Sequence, residues 1–171
     1  MAKTAQSAGA NTFQYFSRNP RGGSVKPVDM GDIEKFSEIA NKNNFAPIVA
    51  HAPYTLNLCS KTESIRNFSK NIFIDDLKRT DLIPGTLYNF HPGSHTGQGK
   101  SVGIGQIASA LNEILKPDQK TVVLLETMAG KGSEIPEKSQ RKCDRRRRSK
   151  GNSVGLQRDK VTAGRTEQNY I

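Results

Sequence analysis

The 171-residue chain has 34% apolar residues and a negative mean hydropathy, enough for one domain with a real core, and no run approaches the roughly 18 apolar residues that span a bilayer. No apolar segment follows the first lysine, which argues against a secretory leader. Two cysteines, Cys59 and Cys143, are too few for a disulfide framework and match no metal spacing, so a reducing, cytoplasmic setting is expected. The net charge of +10 suggests a polyanionic partner. Its distribution qualifies that: residues 1–135 carry 15 Lys+Arg against 12 Asp+Glu, and residues 136–171 carry 11 against 4. The body is therefore only mildly basic.

Up to Ile135 short apolar runs alternate with stretches of helical period, the pattern of β/α units on a parallel sheet. Residues 12–16 read as a strand. A helix follows over 30–41, with Ile33, Phe36, Ile39 and Ala40 on one face. The next strand is 47–50, and a helix fits 61–79 with a rough stripe of Ile65, Phe68, Ile72 and Leu77. Residues 87–90 form a third strand. Residues 101–115 form a helix whose Ile104, Ile107, Leu111, Ile114 and Leu115 share a face. The fourth strand, 121–125, is an unbroken apolar run of the kind buried on both faces. This establishes a β/α architecture without setting the number of units.

After Ile135 the pattern stops. Residues 136–171 contain Arg145-Arg-Arg-Arg148 and few large apolar residues, so disorder is the expectation. Such a tail reads as a nucleic-acid-binding arm, as a solvated tail without a role, or as the product of a shifted reading frame.

All three histidines lie in the first part. His51 directly follows the strand 47–50, His91 follows 87–90, and Glu126 follows 121–125. Residues at the carboxyl edge of parallel strands share one cleft. Two imidazoles and a carboxylate, with a position left for water, form a recurrent catalytic zinc set. A lone strand-end histidine is more often a hydrogen-bonded structural residue, but three such placements in succession make a metal site an equal contender. His91-Pro-Gly-Ser-His95 adds a tight turn; His95 is either a phosphate contact returning to the cleft or a plain turn residue. Gly93, Gly97 and Gly99 leave room for close backbone approach, and Gly130-Lys-Gly132 reads first as a flexible loop. Arg18, Asn19, Pro20, Arg21, Gly22 and Gly23 follow the first strand at the same edge, where arginine suits phosphate or groove contact. Tyr54 lies on that rim and can stack in a nucleic acid. Either is equally an ordinary surface residue.

Four segments, "NTFQYFSRNPRGG", "AHAPYTLNL", "LYNFHPGSH" and "VVLLETMAGKGSE", occur in this order at strand ends. Over roughly residues 4–135 the chain thereby resembles the endonuclease IV family of apurinic/apyrimidinic-site DNA repair nucleases. The resemblance implies a (β/α)8 TIM barrel with three zinc ions at the carboxyl end of its strands. It implies hydrolysis of the phosphodiester 5′ to an abasic site in double-stranded DNA by a metal-held hydroxide, with the zincs also stabilising the leaving oxygen. It casts His51 and His91 as ligands of the first zinc and Glu126 as the carboxylate shared with the second. Arg21 and Tyr54 match loop residues that enter the DNA and expose the damaged nucleotide.

The departures set further expectations. Met1 starts inside what looks like the family's first helix, and no further Asp, His or Glu ligand is identifiable after Ile135. The reading is thus a partial barrel of about four β/α units (1–135) with a disordered basic tail (136–171), one of three zinc shells, and little or no activity. A frameshift near Ile135, or a wrong gene model, is the expected source of the change. An intact protein is expected to be monomeric. Such a half-barrel exposes a sheet edge and an apolar face. Two other readings are a metal-independent, tail-driven nucleic-acid-binding remnant, marked by steep salt dependence, and a sugar-isomerase-like barrel.

Overall fold

A computed structural model of the protein describes residues 1–128, 131–135 and 154–156. A short helix, α1 (Ala2–Ser7), precedes three alternations of strand and helix: β1 (Gln14–Phe16), α2 (Met30–Lys42), β2 (Ile48–His51), α3 (Glu63–Thr80), β3 (Thr86–Phe90) and α4 (Lys100–Ile114). Then come β4 (Val122–Leu125) and a three-residue strand, β5 (Val154–Leu156). Strands β1 to β4 lie in sequence order and pair in parallel; β5 pairs with β4 antiparallel. The sequence reading has no strand at 154–156, and the remainder of its 136–171 tail lies outside the described residues.

Local chemistry sets the element ends. Asp29 caps α2 by accepting the Asp32 amide at 3.3 Å, and Asn44, at a φ of 51°, turns the chain out beyond its far end. α4 begins after Gly99, at a φ of 93° that side-chain-bearing residues avoid, and ends before Pro117. Side chains alternate across each strand, so Ile48, Ala50, Tyr88, Phe90 and Val123 face the helices and are buried. Phe73 of α3 packs on Tyr88 and Phe90 with ring centroids 4.9 Å away in each case, and Leu77, Ile107, Leu111 and Ile114 complete this core. Removing a buried aromatic such as Phe73 would cost about 3–5 kcal/mol.

The helices depart from the expected stripes in an instructive way. In α3 it is Ser69, Phe73, Asp76, Leu77 and Thr80 that are buried, whereas Ile65 and Phe68 are 42% and 48% exposed. Hydrogen bonds let polar residues occupy the inner face: Ser69 Oγ donates to Ile65 O, and Thr80 Oγ1 is within 3.1 Å of the Asp76 and Leu77 carbonyls. Ile104 of α4 is likewise exposed, and α2 buries no residue completely. In strand β4 only Val123, on the helix side, is fully buried: Val122 and Leu124, like Val49 and Leu87 beside them, are half-buried on the opposite, concave face. No helix among the described residues is long and apolar enough to cross a membrane.

Candidate metal centre at the carboxyl edge of the sheet

The register brings three separated sequence positions together. Phe16 lies opposite His51, His51 opposite Asn89, and Asn89 opposite Leu124. These residues share the concave face, and His91 and Glu126, two positions beyond Asn89 and Leu124, share it too. The ladder continues past the strand ends through Ala52 N to Asn89 O at 2.8 Å and Glu126 N to Phe90 O at 2.9 Å. Ligand-type atoms of His51, His91 and Glu126 all lie within 4.8 Å of one another, which no other group of histidine, cysteine and carboxylate side chains achieves among the described residues.

Hydrogen bonding fixes what each side chain presents. His51 is buried, and its Nδ1 lies 2.7 Å from the Ala52 carbonyl, an acceptor, so Nδ1 carries the proton and donates. In the neutral ring Nε2 then offers a lone pair, and it faces Glu126 Oε2 at 3.1 Å, which is also an acceptor. Two lone pairs at that distance repel unless a cation or an added proton lies between them. His91 Nε2 is 4.0 Å from the same oxygen, and its Nδ1 is buried without a partner among the described residues. A tetrahedral zinc with bonds of about 2.0–2.2 Å sets its ligand atoms about 3.3–3.6 Å apart, a value the 3.1 Å and 4.0 Å spacings bracket. The donor set and its unmet polarity therefore fit a zinc ion.

Burial opposes ionisation of Glu126, but the Asn89 side-chain amide, which donates to Oε2 at 2.5 Å, leads the influences that outweigh it and hold the carboxyl below its usual range. Asn89 was missed in the sequence. Its position between Leu87 and His91, two residues from each on one face of the strand, was the available signal.

The rim is ordered around this cluster. Tyr54 is 63% exposed, its ring 6.0 Å from that of His51 and 6.2 Å from that of His91. Its amide donates to Pro20 O at 2.9 Å, tying the Arg21 loop to the Tyr54 loop. Arg21 is exposed, and its amide donates to Asn19 Oδ1 at 3.0 Å. Arg18, considered in the sequence as a phosphate contact, is instead 7% exposed and paired with Asp76. His95 stands outside the cluster, and its Nδ1 accepts the amides of Gly97 and Gly99, each at 3.2 Å. Gly130 lies outside the described residues, while Lys131 N donates to Glu134 Oε2 at 3.0 Å.

Residues 2–159 match the family described as Xylose isomerase-like TIM barrel, and the chain belongs to it. Its relatives carry the endonuclease IV name expected from the sequence. The chain is 58% identical over 135 residues to a probable endonuclease 4 of Clostridium botulinum (strain Alaska E43 / Type E3), covering 79% of this chain and 49% of that protein. It is 51% identical over 131 residues to a probable endonuclease 4 of Methanosphaera stadtmanae, covering 77% and 48%. The crystal structure of endonuclease IV from Thermus thermophilus superposes with a TM-score of 0.65 at 25% identity, over 78% of this chain and 48% of that one. D-psicose 3-epimerase from Clostridium cellulolyticum, at a TM-score of 0.57, 15% identity, and 75% and 46% coverage, shares the fold alone. The chain thus spans about half the length of the relatives it matches.

Proposed function

We propose that the chain carries the first-zinc portion of an apurinic/apyrimidinic-site endonuclease acting on double-stranded DNA, with His51, His91 and Glu126 as the metal ligands. The observation that carries this is the opposition of His51 Nε2 and Glu126 Oε2 across 3.1 Å, with the His51 proton committed to Ala52 O. When bound, zinc supplies hydroxide near neutral pH and polarises a phosphoryl oxygen. The chain's own residues do the rest. Ala52 O fixes the tautomer of His51, as outer partners of metal-bound histidines do. Asn89 occupies Oε2 of Glu126 and holds the carboxylate in its ionised form. Tyr54 stands exposed at the rim, where its ring can stack against an unpaired nucleotide, and exposed Arg21 beside it suits the flanking phosphates. His95, in the turn that follows His91, is the third residue assigned to DNA contact, its Nδ1 held by the Gly97 and Gly99 amides.

The relatives' names favour this reading over a sugar isomerase, whose likeness is confined to the fold. The metal-independent remnant leaves the opposed lone pairs of His51 and Glu126 without a role. We further propose that this chain alone holds one zinc of the family's three and falls short of full activity, because the described residues gather one ligand cluster. The division into a barrel portion (1–135), working as a monomer in the cytoplasm, and a basic tail (136–171) from a shifted reading frame belongs to the same proposal. It rests on the change in composition at Ile135; translating the coding DNA in all three frames from about codon 130 tests it. The site is tested by zinc titration followed by incubation with a duplex containing one abasic site. One zinc equivalent, lost in His51→Ala, is expected, with weak or no incision. Failure to bind zinc with sub-millimolar affinity would reject the metal centre.

A further inference from the structure

We infer that Asn57 is the positioning residue for His91, clasping the turn that follows it and so setting the imidazole's place in the cluster. The inference rests on the metal reading above. His51 is oriented by its own hydrogen bond to Ala52 O. His91 has no such bond among the described residues, so its orientation comes from ring packing against His51 and Tyr54 and from the backbone on either side. Strand β3 holds the preceding residues; Asn57 holds the following ones. Its Nδ2 donates to Ser94 O at 3.0 Å, while its Oδ1 accepts Ser94 N at 3.3 Å. One side chain thus grips both backbone polar groups of a residue three positions after His91, as a neighbouring strand would.

Several independent contacts converge on that grip. Oδ1 also accepts the Cys59 amide at 3.1 Å and the Cys59 thiol at 3.3 Å, and the same thiol lies 3.3 Å from Pro92 O. The Asn57 amide donates to Ser69 Oγ at 2.9 Å, rooting the clasp in α3. Gly93, between His91 and Ser94, has a φ of 90°, and a Cβ there would collide with the Asn57 side chain. The residue type at 93 is therefore set by the side chain at 57 as well as by the turn. From the other side, Ile135 N donates to Gly93 O at 3.1 Å, His95 N to Ser133 O at 2.9 Å, and the Ser94 and Ser133 hydroxyls meet at 2.6 Å. Asn57 thereby joins the loop after β2 to the turn carrying His91, and through that turn to the segment following Glu126.

The test is Co(II) and Zn(II) titration of the full chain, reading the cobalt ligand-field spectrum as a report on imidazole geometry. Asn57→Ala is expected to weaken metal binding about 10–100-fold, as loss of an outer positioning partner does, and to alter the cobalt spectrum. Asn57→Asp, which keeps the acceptor for Ser94 N and Cys59 N, fills the same space and sets an oxygen against Ser94 O, breaks the clasp without leaving a void should the alanine variant fold poorly. In a His91→Ala background neither change should weaken binding further. Ile114→Val, which loosens the core at the end of α4 remote from the carboxyl edge of the sheet, should lower the Tm and leave metal affinity within about twofold of the parent, well short of that outer-partner loss. Parental affinity in both Asn57 variants, or equal losses with and without His91, overturns the inference. No cobalt or zinc uptake by the parent chain overturns the metal centre itself, and the inference with it.

Discussion

The two faces of the sheet each carry a polar cluster, and the clusters are built in opposite ways. On the helix side, fully buried Asp76 has all its acceptor capacity filled: Arg18 Nε and Nη2 donate to Oδ1 at 2.9 and 2.7 Å, and Ser17 Oγ and Tyr88 OH donate to Oδ2 at 2.8 and 2.7 Å. Arg18 adds Asp75 at 2.6 Å and Gly23 O at 2.7 Å. Burial, reinforced by the Asp76 charge, pushes the Tyr88 hydroxyl well above its ordinary range, so it stays a donor. On the concave side, His51 and Glu126 point lone pairs at each other and the buried Nδ1 of His91 has no partner among the described residues. A polar cluster that is complete in itself holds the fold together; one that is incomplete in itself is shaped for something that arrives. Arginine, aspartate, tyrosine and serine in one network look as functional in a sequence as two histidines and a glutamate. The difference is visible only in where the donors and acceptors go.

The sharpest way to break this contrast is Asp76→Ala. It removes the buried acceptor shared by Arg18, Ser17 and Tyr88, leaving Arg18 only half-exposed Asp75 and Gly23 O, and is expected to cost about 3–5 kcal/mol in urea denaturation, while zinc affinity of the folded protein stays near the parent's. A parallel loss of affinity would mean that the clusters are not independent. Next in size is the metal's own contribution. Zinc at about 100 times its Kd should stabilise the parent by about 2.7 kcal/mol, and His51→Ala and Glu126→Gln should abolish that gain. In chelator Glu126→Gln should change stability little, because an amide N–H in place of Oε2 gains a hydrogen bond to His51 Nε2 of about 1 kcal/mol but faces the Asn89 amide that donates there now. A clear destabilisation in chelator would show that the His51–Glu126 contact is structural after all.

Acidification separates the clusters more gently. Ligands must be deprotonated to bind metal, so the zinc-induced rise in Tm should shrink as pH falls. Without zinc, Glu126 has its folded-state pKa depressed below the ordinary 4.5. Its contribution is therefore fully present above that value and is lost as pH drops through the lower folded value. Glu126→Gln should flatten that acid arm of the stability curve, and an unchanged arm would assign the acid sensitivity elsewhere. The smallest effect concerns the closed rim. Burial pushes the Cys59 thiol up to about 11, so peptide mapping should find it essentially unalkylated by iodoacetamide at about pH 8 in the folded protein. Rapid labelling would mean that the loop carrying Asn57 opens.

By itself the sequence determined the alternation of strands and helices, the parallel order, and the placement of His51, His91 and Glu126 at three strand ends. These follow from local periodicity and from the rule that residues just past parallel strands share an edge. The "HPGSH" and "LETMAGKGS" segments further identified the endonuclease IV likeness, which the relatives confirm. Only the tertiary structure decided which face of α3 turns inward. Helical spacing ranks Ile65 and Phe68 above Ser69 and Asp76, but partners 12 to 59 positions away in the chain make the polar residues the buried ones. It alone separated Arg18, spent on a buried ion pair, from Arg21, exposed at the rim. It also showed Asn89 and Asn57, whose roles consist of hydrogen bonds to Glu126 and Ser94, each 37 positions further along the chain. Periodicity reports which side of an element a residue occupies. Hydrogen-bond satisfaction depends on what the rest of the chain brings to that side, and only folding supplies it.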